Sequence, residues 1–237
     1  MVLKELISRS PIRIFEQSIH GGLKAGEIGI IASPNGVGKT SVLVQIALDK
    51  LLQEKKVIHV SFTQYTQSAW TPHVLIWYED IFNELINKKN LENAAEIKND
   101  LVKNRVLMNF NQDGMSKDKI LKSLRAMIVD GGFNADSIII DGFDFSRVSE
   151  EIISGVKSFA AELGVSIWYS CSVNDTQYDR ENIPAVISGF SQFIDVVIVL
   201  QPRPNHVDLS VSKDRDSRDS KSMAMRLDPK TLLILGN

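Results

Sequence analysis

The residues with the most chemical potential lie together: Ser33, Pro34, Asn35, Gly36, Val37, Gly38, Lys39 and Thr40, with Ser41 next. Gly36 and Gly38 allow a tight backbone turn, so that successive N–H groups converge on an anion. Lys39 has the reach to meet the β- and γ-phosphates of a nucleotide, and the Thr40 hydroxyl can ligate Mg²⁺. The plainer reading is a glycine-rich turn with Lys39 as a cap. The context favours the phosphate loop, because an apolar strand (28–32) precedes it and an amphipathic helix (40–55) follows. The nucleotide expected is ATP with magnesium.

One acid belongs with that loop. Asp141 ends the run Ser137-Ile138-Ile139-Ile140, where a carboxylate needs a partner. A magnesium ion at Thr40, approached through water, supplies one; capping the next turn is the alternative. Asp144 fits either a supporting role at the site or the surface.

Elements that would position these groups follow from apolar runs alternating with amphipathic stretches, the pattern of a parallel sheet flanked by helices. Strands are expected at 28–32, 57–62, 106–110, 137–141, 165–170 and 195–200. Helices are expected at 40–55, 77–87, 90–104, 116–129, 149–163 and 183–193, with Ser116 and Ser149 as N-caps. The tail alternates well enough for strands at 206–212, 223–227 and 232–235. Residues 1–237 read as a single α/β domain. It comprises a lead-in (1–26), a nucleotide-binding core (27–200) and C-terminal strands with a charged loop (201–237).

The 237 residues are 43% hydrophobic, enough for one substantial core. A net charge of −2 and a pI near 6.1 weigh against a free-standing nucleic-acid binder. A lone cysteine, Cys171, excludes an intrachain disulfide or a cysteine zinc site, and His20, His59, His73 and His206 show no ligand spacing. No apolar run reaches the roughly 20 residues that span a bilayer. A cytoplasmic setting without membrane contact is expected.

Taken together, the phosphate loop, the lead-in Gly21-Gly22-Leu23-Lys24-Ala25-Gly26-Glu27, the acid-ended 137–141 strand and the late strand 195–200 resemble the RecA-like ATPase superfamily. Within it the likeness is to the ATPase domains of replicative helicases, RadA and KaiC, over residues 12 to 235. The resemblance implies a P-loop NTPase fold: a mainly parallel central sheet, helices on both faces and C-terminal antiparallel strands. It further implies that the strand ending near Ser170 lies between the Lys39 and Asp141 strands. Self-assembly is implied as well, with a hexamer as one form. Lys213 and Arg215 match a Lys-x-Arg pair that reaches a neighbouring subunit's nucleotide; a solvated hairpin is the alternative. Arg218 is a weaker match.

Two departures matter. The family's catalytic glutamate after the second strand is missing, and Thr63 and Gln64 stand in its place. They can orient a water but are no general base. The γ-phosphate-sensing glutamine is replaced by Ser170-Cys171-Ser172, whose hydroxyls reach less far. The expected function is therefore a slow ATPase acting as an oligomeric switch. The alternatives are a DNA-dependent ATPase of helicase or recombinase type, and a non-hydrolysing nucleotide-bound scaffold for a protein partner. Tyr65, Tyr178 and Phe190 could stack on a base or simply pack. Cys171 reads as a small buried residue. Trp70, Pro72 and Trp77 read as core or interface.

Overall fold

Alternating apolar faces need cover on both sides, and this chain supplies it. A computed structural model describes residues 10–63, 73–89, 94–111, 117–173, 183–217 and 221–236. Among these residues nine strands make one sheet. They are β1 (Ile28–Ser33), β2 (Val57–Thr63), β3 (Arg105–Asn111), β4 (Ser137–Asp141), β5 (Ser166–Ser172), β6 (Val196–Pro202), β7 (Val207–Asp214), β8 (Lys221–Leu227) and β9 (Ile234–Gly236). Their order is β3-β2-β4-β5-β1-β6-β7-β8-β9. The first six run parallel, and β7 to β9 continue the sheet antiparallel. Strand β5 lies between β1 and β4, as the resemblance implies.

The α-helices among the described residues are α1 (Pro11–Ser18), α2 (Lys39–Leu52), α3 (His73–Lys89), α4 (Ala94–Lys103), α5 (Lys117–Arg125), α6 (Glu150–Leu163) and α7 (Ala185–Ser188). Period-two alternation along the strands sorts the core into two layers. Ile31, Ile139, Trp168 and Ile198 face one side with α1, α2, α3 and α4. Ile30, Ile138, Ile167 and Val197 face the other with α5 and α6. Strands buried on both faces read as unbroken apolar runs, which is why Ile28–Ser33 and Val196–Leu200 are so uniform.

Several elements differ in extent from the sequence reading. Helix α3 starts at His73 rather than 77, because Val74 completes the buried stripe of Tyr78, Ile81 and Phe82. The expected helix over 183–193 is only α7 and a 3₁₀ turn at Ser191–Phe193, with Gly189 at the end of α7. The last strand begins at Ile234, since Leu232 holds a left-handed φ of 57°. Helix α1, absent from the sequence reading, has Ser10 accepting from Ile12 N as its N-cap and Pro11 in its first turn; Ile12 and Phe15 are buried. Ser116 lies outside the described residues, and Ser149 stands at the N-cap of α6 without a side-chain cap bond. Among the described residues no helix is long and apolar enough to cross a membrane.

Candidate functional site

Strand β1 ends at Ser33, and the chain turns through Pro34-Asn35-Gly36-Val37-Gly38 into α2. Gly36 and Gly38 both hold left-handed backbone, at φ 79° and 114°. At Gly38 the left-handed backbone favours glycine, and a Cβ there would lie 2.5 Å from Leu227 Cδ2 and force that side chain to shift. Gly38 is also the N-cap of α2, and no side chain caps that end. The first-turn N–H groups of a 14-residue helix thus face the loop, and that turn itself contains no acidic residue. Val42 N closes the first turn on Gly38 O at 3.1 Å, and the Ser41 hydroxyl donates to the same carbonyl at 2.8 Å.

Lys39 is buried and curls back over this loop. Its Nζ donates to Ser33 O and Pro34 O, both at 2.9 Å, and to Ser33 Oγ at 3.4 Å. Burial lowers the Lys39 pKa, while the Asp141 carboxylate and Cys171 act in the opposite direction. The ammonium is therefore held inside the turn whose N–H groups would meet an anion.

The Thr40 hydroxyl donates to Asp141 Oδ2 at 2.8 Å. Residues 101 positions apart meet because α2 packs across β4 and β5. Hydroxyl and carboxylate are the hard oxygen donors that Mg²⁺ takes while keeping room for water and phosphate oxygens, so this pair fits that ion.

Strand β5 braces both halves of the site. Ser172 Oγ donates to Asn35 Oδ1 in the loop at 2.7 Å. Ser170 Oγ accepts from Gly142 N, just past Asp141, at 2.8 Å. The hydroxyls at the expected γ-phosphate-sensing position therefore hold the two loops in place. Cys171, between them, is fully buried, and burial pushes its thiol up to about 12, which excludes a ready thiolate. Beside the loop opens a cleft of 490 Å³ bordered by Asn35, Phe62, Phe143, Asp144, Ser146 and Ser172. Asp144 accepts from Ser146 N at 3.0 Å and caps a 3₁₀ turn, Phe145–Arg147, while still facing the cleft.

His59, which sequence spacing does not single out, lies on the same face of β2 as the strand's approach to Asp141. Ser61, two residues on, pairs with Asp141 in the sheet. The His59 ring is fully buried and shares a 3.0 Å hydrogen bond between Nδ1 and the Tyr78 hydroxyl; among the described residues Nε2 has no partner. Burial lowers its pKa to about 4, against the opposing pull of Asp141.

The remaining expectations separate. Thr63 ends β2, in register with Asn111, on the loop side of the sheet. Gln64, Tyr65, Trp70, Pro72, Tyr178 and Arg218 lie outside the described residues. Phe190 is core, stacked on Phe145 with centroids 6.2 Å apart. Trp77 packs against the core.

Lys213 and Arg215 sit at the opposite edge of the sheet, where β7 ends beside the start of β6. Lys213 is buried and donates to the carbonyls of Ser191 and Ile194. Arg215 uses all five of its N–H donors within the chain. It forms a two-pronged pair with Glu27 at 2.9 and 2.7 Å, and bonds Asp214, Ile19 O and Gly22 O. Both head groups are engaged within the chain in this structure. No family model matches this chain, and no curated protein matches it.

Proposed function

We propose that this chain binds ATP with magnesium through Ser33 to Ser41 and Asp141, as a slow ATPase that assembles with copies of itself and switches with nucleotide state. One observation carries the reading: the Thr40–Asp141 hydrogen bond beside an uncapped helix N-terminus at the carboxyl edge of a parallel sheet. That edge, where the strand order reverses, is where open α/β sheets bind ligands.

In this reading the loop N–H groups and the N-terminus of α2 hold the phosphates. Lys39 leaves the Ser33 and Pro34 carbonyls for phosphate oxygens, exchanging neutral acceptors for charged ones. Thr40 and Asp141 hold the ion, which when bound neutralises phosphate charge. Ser170 and Ser172 keep the two loops in register. The end of β2 offers Thr63 and then Gln64, neither a base. Losing general-base help typically lowers rates by about 10² to 10⁴, which places turnover below about 1 s⁻¹.

Titration with a fluorescent ATP analogue tests the site. Lys39→Ala is expected to weaken binding at least tenfold, about 1.4 kcal/mol; unchanged affinity overturns the reading. A turnover assay with and without single-stranded DNA separates the slow switch from a DNA-dependent motor, and Gln64→Glu should raise turnover if the missing base limits it.

A further inference from the structure

We propose that the cleft between α3, α4 and β3 binds a small molecule that joins an apolar body to a carboxylate. The cleft encloses 410 Å³, and Leu48, Phe82, Leu101 and Leu107 form its apolar walls. That volume lies within the roughly 300–1,000 Å³ of small-molecule sites, which pair apolar walls with a few placed polar groups.

The placed group is Arg105. Its side chain lines the cleft and is half-buried. The guanidinium lies over the Tyr78 ring, 4.2 Å from the centroid, and makes no hydrogen bond or ion pair with any described residue. Arg215, by contrast, spends every donor on the chain. A guanidinium that has lost part of its hydration and gained only a ring face retains a planar fork that matches a carboxylate. Burial pulls the Arg105 pKa down, with Tyr78 and Glu79 opposing, so an anion would relieve an existing cost. The other charges lining the cleft, Glu79 and Lys98, are paired with each other at 3.2 Å. Among the described residues lining the cleft, Arg105 is therefore the cation left for an incoming anion.

This cleft is distinct from the phosphate loop. Arg105 begins β3, at the opposite edge of the sheet. It nonetheless touches the same framework, since Leu48 belongs to α2 and Tyr78 bonds His59. The proposal stands or falls independently of nucleotide binding.

Isothermal titration of the full chain with octanoate and 2-naphthoate, against octanol and 2-naphthol at pH 7.5, tests it. At least one acid is expected to bind tenfold or more tightly than its uncharged match. Arg105→Met should abolish that difference while leaving the alcohol's affinity within twofold, and Arg105→Lys should retain part of it. Leu101→Trp, which fills the cleft, should remove both. If Arg105→Met does not fold, Arg105→Gln replaces it, with circular dichroism as the check. Equal binding of acid and alcohol, no binding of either at millimolar concentration, an acid preference that survives loss of Arg105, or displacement of the acid by an ATP analogue would each overturn the proposal.

Discussion

Acidification should destabilise this protein through one ring. His59 is fully buried with its pKa lowered from 6.5 to about 4, burial being the largest cause. The unfolded chain therefore takes up a proton near pH 6.5 that the folded chain refuses until about pH 4. Stability falls as pH falls wherever the unfolded state binds more protons than the folded one. The contribution of His59 is complete above pH 6.5 and is lost as pH drops from 6.5 towards 4. At 1.36 kcal/mol per unit, this amounts to about 2 kcal/mol between pH 7.5 and pH 5. The ring is out of water, so solvent screening does little to reduce the figure. Urea unfolding at pH 7.5, 6.5, 5.5 and 5.0 measures the slope, and His59→Gln isolates it from the carboxylates titrating nearby. The variant should begin less stable, because it loses ring packing against Tyr78, yet lose about 2 kcal/mol less on acidification. Parallel stability curves for the two proteins would refute the reasoning.

Further outcomes follow from the same geometry. Gly38→Ala sets a Cβ 2.5 Å from Leu227 in left-handed backbone, so thermal unfolding should show a loss of about 1–3 kcal/mol together with weaker binding of an ATP analogue. Arg215→Met leaves the half-buried Glu27 without its cation, held among the described residues only by Lys24 N, and should cost about 2–3 kcal/mol by urea denaturation; a neutral result would mean that the pair is replaced by water.

The turn from Ser33 to Thr40 is legible in sequence because its signal is local: two glycines, a lysine and a threonine stand within eight residues, between an apolar strand and a helix. The long apolar strands are legible because they are buried on both faces. What escapes is whatever depends on residues distant in sequence. Nothing local tells that Ser170 will hold Gly142, or that His59 will bond Tyr78. The Lys213-x-Arg215 spacing fits a finger, but spacing cannot reveal that Glu27, 188 positions away, occupies the arginine. Helix α1 was within reach of local rules: Ser10-Pro11 signals a start, and Ile12, Phe15 and Ile19 mark a buried stripe. The short α7 shows the reverse case, where apolar spacing suggests a helix that Gly189 cuts off.

The position of β1 in the sheet has a consequence for how the chain acquires its site. Both of its neighbours come late, β5 at residues 166–172 and β6 at 196–202. During synthesis, the loop and Lys39 leave the ribosome with no strand to dock on, and for well over a hundred residues β1 has two open edges. Pairings this distant close slowly, because the loop entropy must be met before the contacts form. Until β5 arrives, Asn35 and Gly142 have no brace, and an early nascent chain carries the motif without the cradle. The interval is also the one in which exposed apolar strand edges invite mispairing. The strand order itself thus sets how long those edges stand open.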